Sequence, residues 1–87
     1  MKYVIYYGPA NDIGKARALF AEHRATWDKY RKDGTLLMIG PFSNPDDGAM
    51  GVFTTREAAH AFIDEDPFVT EGVVSSWRIS EWNEALV

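Results

Sequence analysis

The pattern of apolar and polar positions divides the chain into six segments whose period switches between that of a strand and that of a helix. Lys2 to Tyr7 is a run of Tyr, Val and Ile closed by Gly8-Pro9. Its apolar residues do not alternate with polar ones, which predicts a strand with both sheet faces covered. From Asn11 or Asp12, either of which can cap a helix N-terminus, a helix is expected to run to about Asp33. Its apolar stripe is Ile13, Ala16, Phe20, His23, Trp27 and Tyr30, stepping by three and four, with Leu19 widening it. Lys29, Arg31 and Lys32 fall in the last turn, where cations suit the helix dipole, and Gly34 is placed for the left-handed capping conformation.

Thr35 to Ile39 reads as a second strand, again apolar on both faces, ended by Gly40-Pro41. Turn formers fill Phe42 to Gly48, and Ala49 to Phe53 reads as a third strand. Thr54 with Glu57 three residues on predicts a capping box. It would open a helix that buries Ala58, Ala59 and Phe62 and runs to Asp66. Pro67 stops that helix and suits the first position of one further turn, with Asp66 as its cap and Gly72 as its exit. Val73 to about Trp82 reads as the last strand, with Val73, Ser75, Trp77 and Ile79 on one face.

The order strand, helix, strand, strand, helix, strand predicts an α+β fold of the ferredoxin-like βαββαβ type, a four-stranded antiparallel sheet with two helices on one face. The other face would then expose more apolar surface than a soluble monomer normally tolerates. A second copy packed sheet to sheet would cover it, so a homodimer is expected.

Size makes the same point. The 87 residues allow a single domain over 1–87 and no second one. A chain of 9.8 kDa exposes roughly 14,000 Å2 unfolded and ~5,200 Å2 folded, which leaves a marginal core for a lone domain. There is no cysteine for a disulfide, and two histidines alone do not make a structural zinc site. Among the common supports for small domains, a partner subunit is left. Nine basic against thirteen acidic residues, net −4, give no attraction for a phosphate backbone, so no nucleic-acid partner is expected. The opening segment is too short for a signal peptide's apolar region and no run reaches the ~18 apolar residues of a membrane span, so a cytoplasmic protein with no membrane partner is expected.

Candidate chemistry centres on two histidines. His60 lies on the side of its helix away from Ala58 and Phe62 and reads as a surface residue. His23 interrupts the apolar stripe of the long helix, where Leu or Ile would be the default. There it must hydrogen-bond, because an unsatisfied buried polar group costs ~1–3 kcal/mol. Asp66, four residues after Phe62 and thus on the inward side of the neighbouring helix, is the best partner, although an Asp before Pro can equally be a plain cap. A carboxylate on one imidazole nitrogen fixes the tautomer and raises the basicity of the other, which serves as general acid or base. No Gly-x-Ser-x-Gly elbow, dinucleotide fingerprint or phosphate-cradling loop is present. Asp46 and Asp47 read as turn residues and His60 with Asp64 as a solvated step, so neither metal nor cofactor is expected.

The combination of His23, Asp33-Gly34-Thr35-Leu36 leading to Gly40-Pro41, Gly51, Glu57-Ala58-Ala59, Asp66-Pro67-Phe68, Gly72-Val73 and Trp82 resembles the YciI-like (YCII-related) domain family. The resemblance covers Tyr3 to about Trp82, and its most specific parts are Gly40-Pro41 and Asp66-Pro67-aromatic-x-x-x-Gly72. It implies a dimeric α+β barrel with a pocket in each subunit between sheet and helices. It further implies a His–Asp pair, carried here by His23 and Asp66. The family includes a dehydrochlorinase of a chlorinated hydroxyhydroquinone. The chain departs from the pattern at Phe20, where many members carry a basic residue one turn before the histidine; Arg17 and Arg24 flank the stripe without lying on it.

The expected function is therefore proton transfer by His23, polarised by Asp66, on a small cyclic or aromatic hydroxylated ligand, through elimination, isomerisation or lactone chemistry. Tyr3, Tyr7, Trp27, Tyr30 and Phe42 are candidate pocket walls, and Ser43 is a candidate hydrogen-bond donor past Gly40-Pro41. The alternative is a non-catalytic dimer that binds a small molecule, or serves as an accessory module, through the same cleft.

Overall fold

The computed structural model describes residues 1–87. Strand β1 (Lys2–Tyr7) leads into helix α1 (Ile13–Lys32), then β2 (Leu36–Pro41), a 3-10 turn (Pro45–Asp47), β3 (Ala49–Phe53), α2 (Arg56–Glu65), the single-turn α3 (Pro67–Thr70) and β4 (Trp77–Trp82). The strands form one antiparallel sheet in the order β2-β3-β1-β4. This is the ferredoxin-like α+β arrangement, with β1 in the interior of the sheet, where an unbroken apolar strand belongs.

Each helix starts where a side chain can take over an orphan backbone donor. Asp12 accepts from the Lys15 amide at 3.0 Å and opens α1. At the far end of α1, Gly34 takes φ +85°, the left-handed conformation that a side chain disfavours. The cap of α2 is Thr55, whose hydroxyl accepts from the Ala58 amide at 3.1 Å, and not the expected Thr54. The shift of one residue follows from β3, because the Thr54 amide is committed to the Thr35 carbonyl beside that strand. Asp66 closes α2 and caps α3 by accepting from the Phe68 amide at 3.1 Å.

Ile5, Tyr7, Leu36 and Phe53 from the sheet pack under Tyr30 of α1 and Ala59, Phe62 and Ile63 of α2, with Val73 and Val74 closing one end. At the centre of this core the rings of Tyr30, Phe53 and Phe62 meet at 5.2–6.3 Å between centroids, in tilted and edge-on pairs. Such edge-on aromatic contacts fix the relative heights of α1 and α2 over the sheet.

Four expectations need correction. The last strand begins at Trp77 and not Val73: Val73 and Val74 are buried in the core instead, and Val74 bridges to Ala10. The second strand runs Leu36–Pro41, so Gly40-Pro41 forms its end and does not follow it; Pro is tolerated there because β2 is an edge strand. Nor is β2 covered on both faces, since Leu37 and Met38 are 47% and 64% exposed around a register shift between Leu36 and Met38. Along α1 the stripe is buried only in part: His23 and Tyr30 are buried, whereas Ile13 and Phe20 face outward.

Strand alternation assigns Val4, Tyr6, Met38, Met50 and Val52 to the sheet face opposite the helices. Val4 and Val52 are buried by their neighbours on that face and lie outside the main core. No helix is long and apolar enough to cross a membrane.

Candidate active site

His23 lies on the inner face of α1, two turns before Tyr30, where the helix crosses the α2–α3 junction. The residue is 6% exposed, and Asp66 is fully buried. The two side chains meet with His23 Nδ1 and Asp66 Oδ1 at 2.5 Å. Asp66 Oδ2 accepts from the Tyr7 hydroxyl at 2.8 Å, and Oδ1 also accepts from the Phe68 amide. Three donors thus converge on one carboxylate, supplied by α1, β1 and α3. A buried charge is tolerable only when it is hydrogen-bonded in this way.

The other imidazole nitrogen is occupied too. The indole Nε1–H of Trp27, one turn along α1, donates to His23 Nε2 at 3.1 Å. An indole N–H can only donate, so Nε2 is the acceptor and the ring proton sits on Nδ1, facing Asp66. One flat face of the ring is held as well: Phe68 stacks on it with centroids 3.8 Å apart and planes 4° from parallel. Trp27 and Phe20 meet edge to face at 5.6 Å beyond it. Every buried side-chain nitrogen and oxygen has a partner.

Electrostatics follow from this packing. Burial, reinforced by the Asp66 charge and the hydrogen bond to it, pushes the Tyr7 hydroxyl well above the ordinary phenol range, so Tyr7 is a fixed donor to Asp66. Burial, with Glu65 nearby, pushes Tyr30 up to about 12.

Of the residues singled out from sequence, the structure brings His23, Asp66, Tyr7 and Trp27 into one cluster. Phe42 and Ser43 are in the β2–β3 connection; Phe42 is half-buried and bonds through its amide to the Gly48 carbonyl, and Ser43 is exposed. Tyr3 packs at the edge of the core and Tyr30 within it. His60 is exposed. Sequence reasoning missed the stack of Phe68 on His23 and gave Tyr7 a wall's role where it is a donor. The signal for Phe68 was its place two residues after the capping Asp66, which aims its amide at the same carboxylate.

A groove of about 360 Å3 runs between α1 and β2, lined by Phe20, Arg24, Trp27, Arg31, Leu37 and Met38 among others. Arg24 belongs to this groove, but Arg17 does not line it. No three His, Cys, Asp or Glu side chains are grouped so as to hold a metal ion.

Fold and site together define a small ferredoxin-like α+β domain that buries an imidazole–carboxylate pair between its helices and its sheet. The YCII-related domain matches residues 1–83, and the chain belongs to that family. Among solved structures it is similar to the 5-chloro-2-hydroxyhydroquinone dehydrochlorinase of Burkholderia phenoliruptrix AC1100, in complex with 2,5-dihydroxybenzoquinone. The TM-score is 0.79 at 17% identity, covering 98% of this chain and 96% of that one. It is also similar to a putative antibiotic biosynthesis monooxygenase from Nitrosomonas europaea, with TM-score 0.66 at 11% identity, covering 99% and 100% of the two chains. At these identities the likeness is one of fold. No curated protein matches the sequence.

Proposed function

We propose that this protein uses His23 as a general acid/base, polarised by Asp66, on a small cyclic or aromatic hydroxylated substrate. The observation that carries this reading is the 2.5 Å contact between His23 Nδ1 and Asp66 Oδ1, with Tyr7 holding the other carboxylate oxygen. A carboxylate so fixed keeps the ring proton on Nδ1 and leaves the lone pair on Nε2 as the group that exchanges protons with a ligand. In an elimination, Nε2 takes the proton, the freed bond pair moves into the carbon framework, and the leaving group departs with its own pair. Isomerisation and lactone chemistry use the same base, and none of the three asks for a cofactor. The fold shared with a dehydrochlorinase supports elimination as the first reaction to try.

The working unit in this proposal is a homodimer joined through the sheet face that carries Tyr6, Met38 and Met50. The 64% exposure of Met38 supports that placement.

One observation favours a second reading, a non-catalytic dimer that binds a small molecule or serves as an accessory module. Both nitrogens of His23 are already hydrogen-bonded, as in a purely structural histidine. His23→Asn decides between the two. The purified protein is incubated with 5-chloro-2-hydroxyhydroquinone and related hydroxylated rings, with chloride release and ring-proton exchange into deuterated water followed by NMR. Turnover by the native chain that His23→Asn abolishes supports the enzyme. Ring binding by both forms, with no turnover by either, supports the binding module.

A further inference from the structure

We infer that Trp27 is a positioning residue that caps the proton-accepting nitrogen of His23, and that a small ring bearing an O–H group reaches this nitrogen from the α1–β2 groove by taking the indole's place. The inference rests on the proposal that His23 exchanges protons with a ligand through Nε2, and supplies the step by which that nitrogen becomes available.

The geometry leaves little choice about which atom a ligand must address. Nδ1 is committed to Asp66 and the Phe68 ring covers one face of the imidazole. The open valence is Nε2, and Trp27 fills it with a donor at 3.1 Å. Trp27 belongs to both environments, since it bonds His23 on one side and lines the groove on the other, and it is half-buried where His23 is buried. It is therefore the partition between groove and base.

The chemistry of the exchange selects the ligand. Nε2 is an acceptor, so whatever replaces the indole N–H must itself donate, or a buried acceptor is stranded. A hydroxyl on a flat ring meets that demand one hydrogen bond for another. The flat ring suits a space bordered by Phe20 and the displaced indole, where edge and face contacts between rings are favourable. When the hydroxyl gives up its proton to Nε2, the oxyanion left behind has Arg24 on the groove wall. Arg31 shares that wall but is 3.6 Å from Asp28, which offsets its charge.

The test begins on the unaltered chain without ligand. Long-range 1H–15N correlation of the His23 ring is expected to show the proton on Nδ1 and Nε2 as an acceptor; a proton on Nε2 overturns the cap. Diethyl pyrocarbonate then probes access to the nitrogen, with exposed His60 as the internal reference. Trp27→Phe is expected to raise the rate at His23 at least about fivefold, the factor corresponding to one net hydrogen bond, with His60 unchanged. An unchanged His23 rate in a folded variant overturns the cap, and if that variant does not fold the ring tautomer decides. Hydroquinone is the third probe, followed by the indole N–H signals of the native chain. A shift of the Trp27 signal with those of Trp77 and Trp82 still supports displacement. Perturbation of the His23 signals with the Trp27 signal still overturns it, and no response from either excludes the hydroxylated ring as occupant. Loss of turnover in His23→Asn bears on the catalytic reading alone, so failure of one idea is distinguishable from failure of the other.

Discussion

Asp66 holds Tyr7 by a 2.8 Å hydrogen bond across 59 residues of sequence, and so ties the end of the interior strand β1 to the junction of α2 and α3. The same carboxylate holds His23 of α1 and the amide of Phe68. One side chain is thus the meeting point of the sheet, the long helix and the short one. A residue that would have served as an ordinary helix cap is a structural hub, whatever chemistry its neighbour performs.

Removing that hub should be severe. Asp66→Ala leaves the His23 Nδ1–H, the Tyr7 hydroxyl and the Phe68 amide without their acceptor in a buried site. At about 1–3 kcal/mol for each stranded group, a loss of about 3 kcal/mol or more is expected. Asp66→Asn keeps an acceptor and the volume, and is expected to lose clearly less. Thermal unfolding by circular dichroism checks both, with a drop of roughly 12 °C or more expected for the alanine variant at ~4–8 °C per kcal/mol. Equal melting temperatures for the two variants would show that the volume and acceptor kept by asparagine do not substitute for the carboxylate.

The two buried tyrosines make stability fall at alkaline pH. Both phenols have raised values in the folded chain, Tyr30 up to about 12 from 10.0 and Tyr7 further. Above about pH 10 the unfolded chain therefore binds fewer protons than the folded one, and stability decreases as pH rises. Their contribution is complete below pH 10, and the part due to Tyr30 is lost through about pH 12. Urea unfolding between pH 9 and 12 is expected to slope downward, and Tyr30→Phe is expected to flatten part of that slope. A slope unchanged in Tyr30→Phe would mean that its phenol ionises as freely folded as unfolded.

Much of this architecture was legible along the chain, because the period of the apolar pattern is a local property. The stripe of α1 put His23 and Tyr30 on one face, and Pro67 marked the place where α2 stops and α3 begins. Less was legible where tertiary contacts outweigh the local pattern. Val73 and Val74 look like strand residues, yet they serve the core as a buried segment beside Ala10. Leu37 and Met38 look buried, yet the edge position of β2 and its register shift leave them exposed. The step of four from His23 to Trp27 showed that they share a face, but not that the indole donates to the imidazole. Spacing places side chains; the atoms that meet depend on rotamers and on elements far away in sequence.

Acid weakens a different contact. Glu84 joins Lys2 and the amino group of Met1 at 2.8 Å each, and these hydrogen bonds pull its carboxyl down to about 2 from 4.5. A lowered folded value means that the unfolded chain takes up protons first, so this contribution is complete above about pH 4.5 and lost as pH falls toward 2. Both cationic partners remain open to solvent, Met1 at 44% and Lys2 at 30%, so the effect is expected to be small and to shrink with added salt. Glu84→Gln should reduce the salt-dependent part of the acid limb, leaving the share of Glu65 beside Lys29, and speed hydrogen exchange at the amides of Asn83 to Val87. Exchange there that is indifferent to the substitution would show that Glu84 does not hold the tail to β1.

At Gly48 the backbone itself forbids a side chain. Its φ is +82°, and a Cβ there would collide with the Tyr7 carbonyl oxygen. That oxygen belongs to main chain at the end of β1 and has no rotamer by which to withdraw. Gly48→Ala should therefore displace the end of β1, and with it the Tyr7 hydroxyl that holds Asp66. Beyond the strain of about 1–3 kcal/mol, a change in the His23 ring signals is expected although Gly48 touches neither His23 nor Asp66. Unfolding measurements and the NMR signals of the ring check the two parts separately. Loss of stability with the ring signals unchanged would show that the hairpin absorbs the strain before it reaches the site.

A charge on the sheet face discriminates between a single chain and a sheet-to-sheet pair. Met38 is 64% exposed in the isolated chain, so Met38→Glu should alter the folding of that chain by no more than about 0.5 kcal/mol, as surface substitutions do. Between two packed sheets the same carboxylate would be buried without a partner, at a cost of several kcal/mol. Sedimentation equilibrium is expected to give about 19.6 kDa for the native protein, twice the chain's 9.8 kDa, and the single-chain mass for Met38→Glu with its circular dichroism unchanged. A native protein that sediments as one chain excludes the pair outright, and a Met38→Glu protein that still sediments as two places the contact on some other surface.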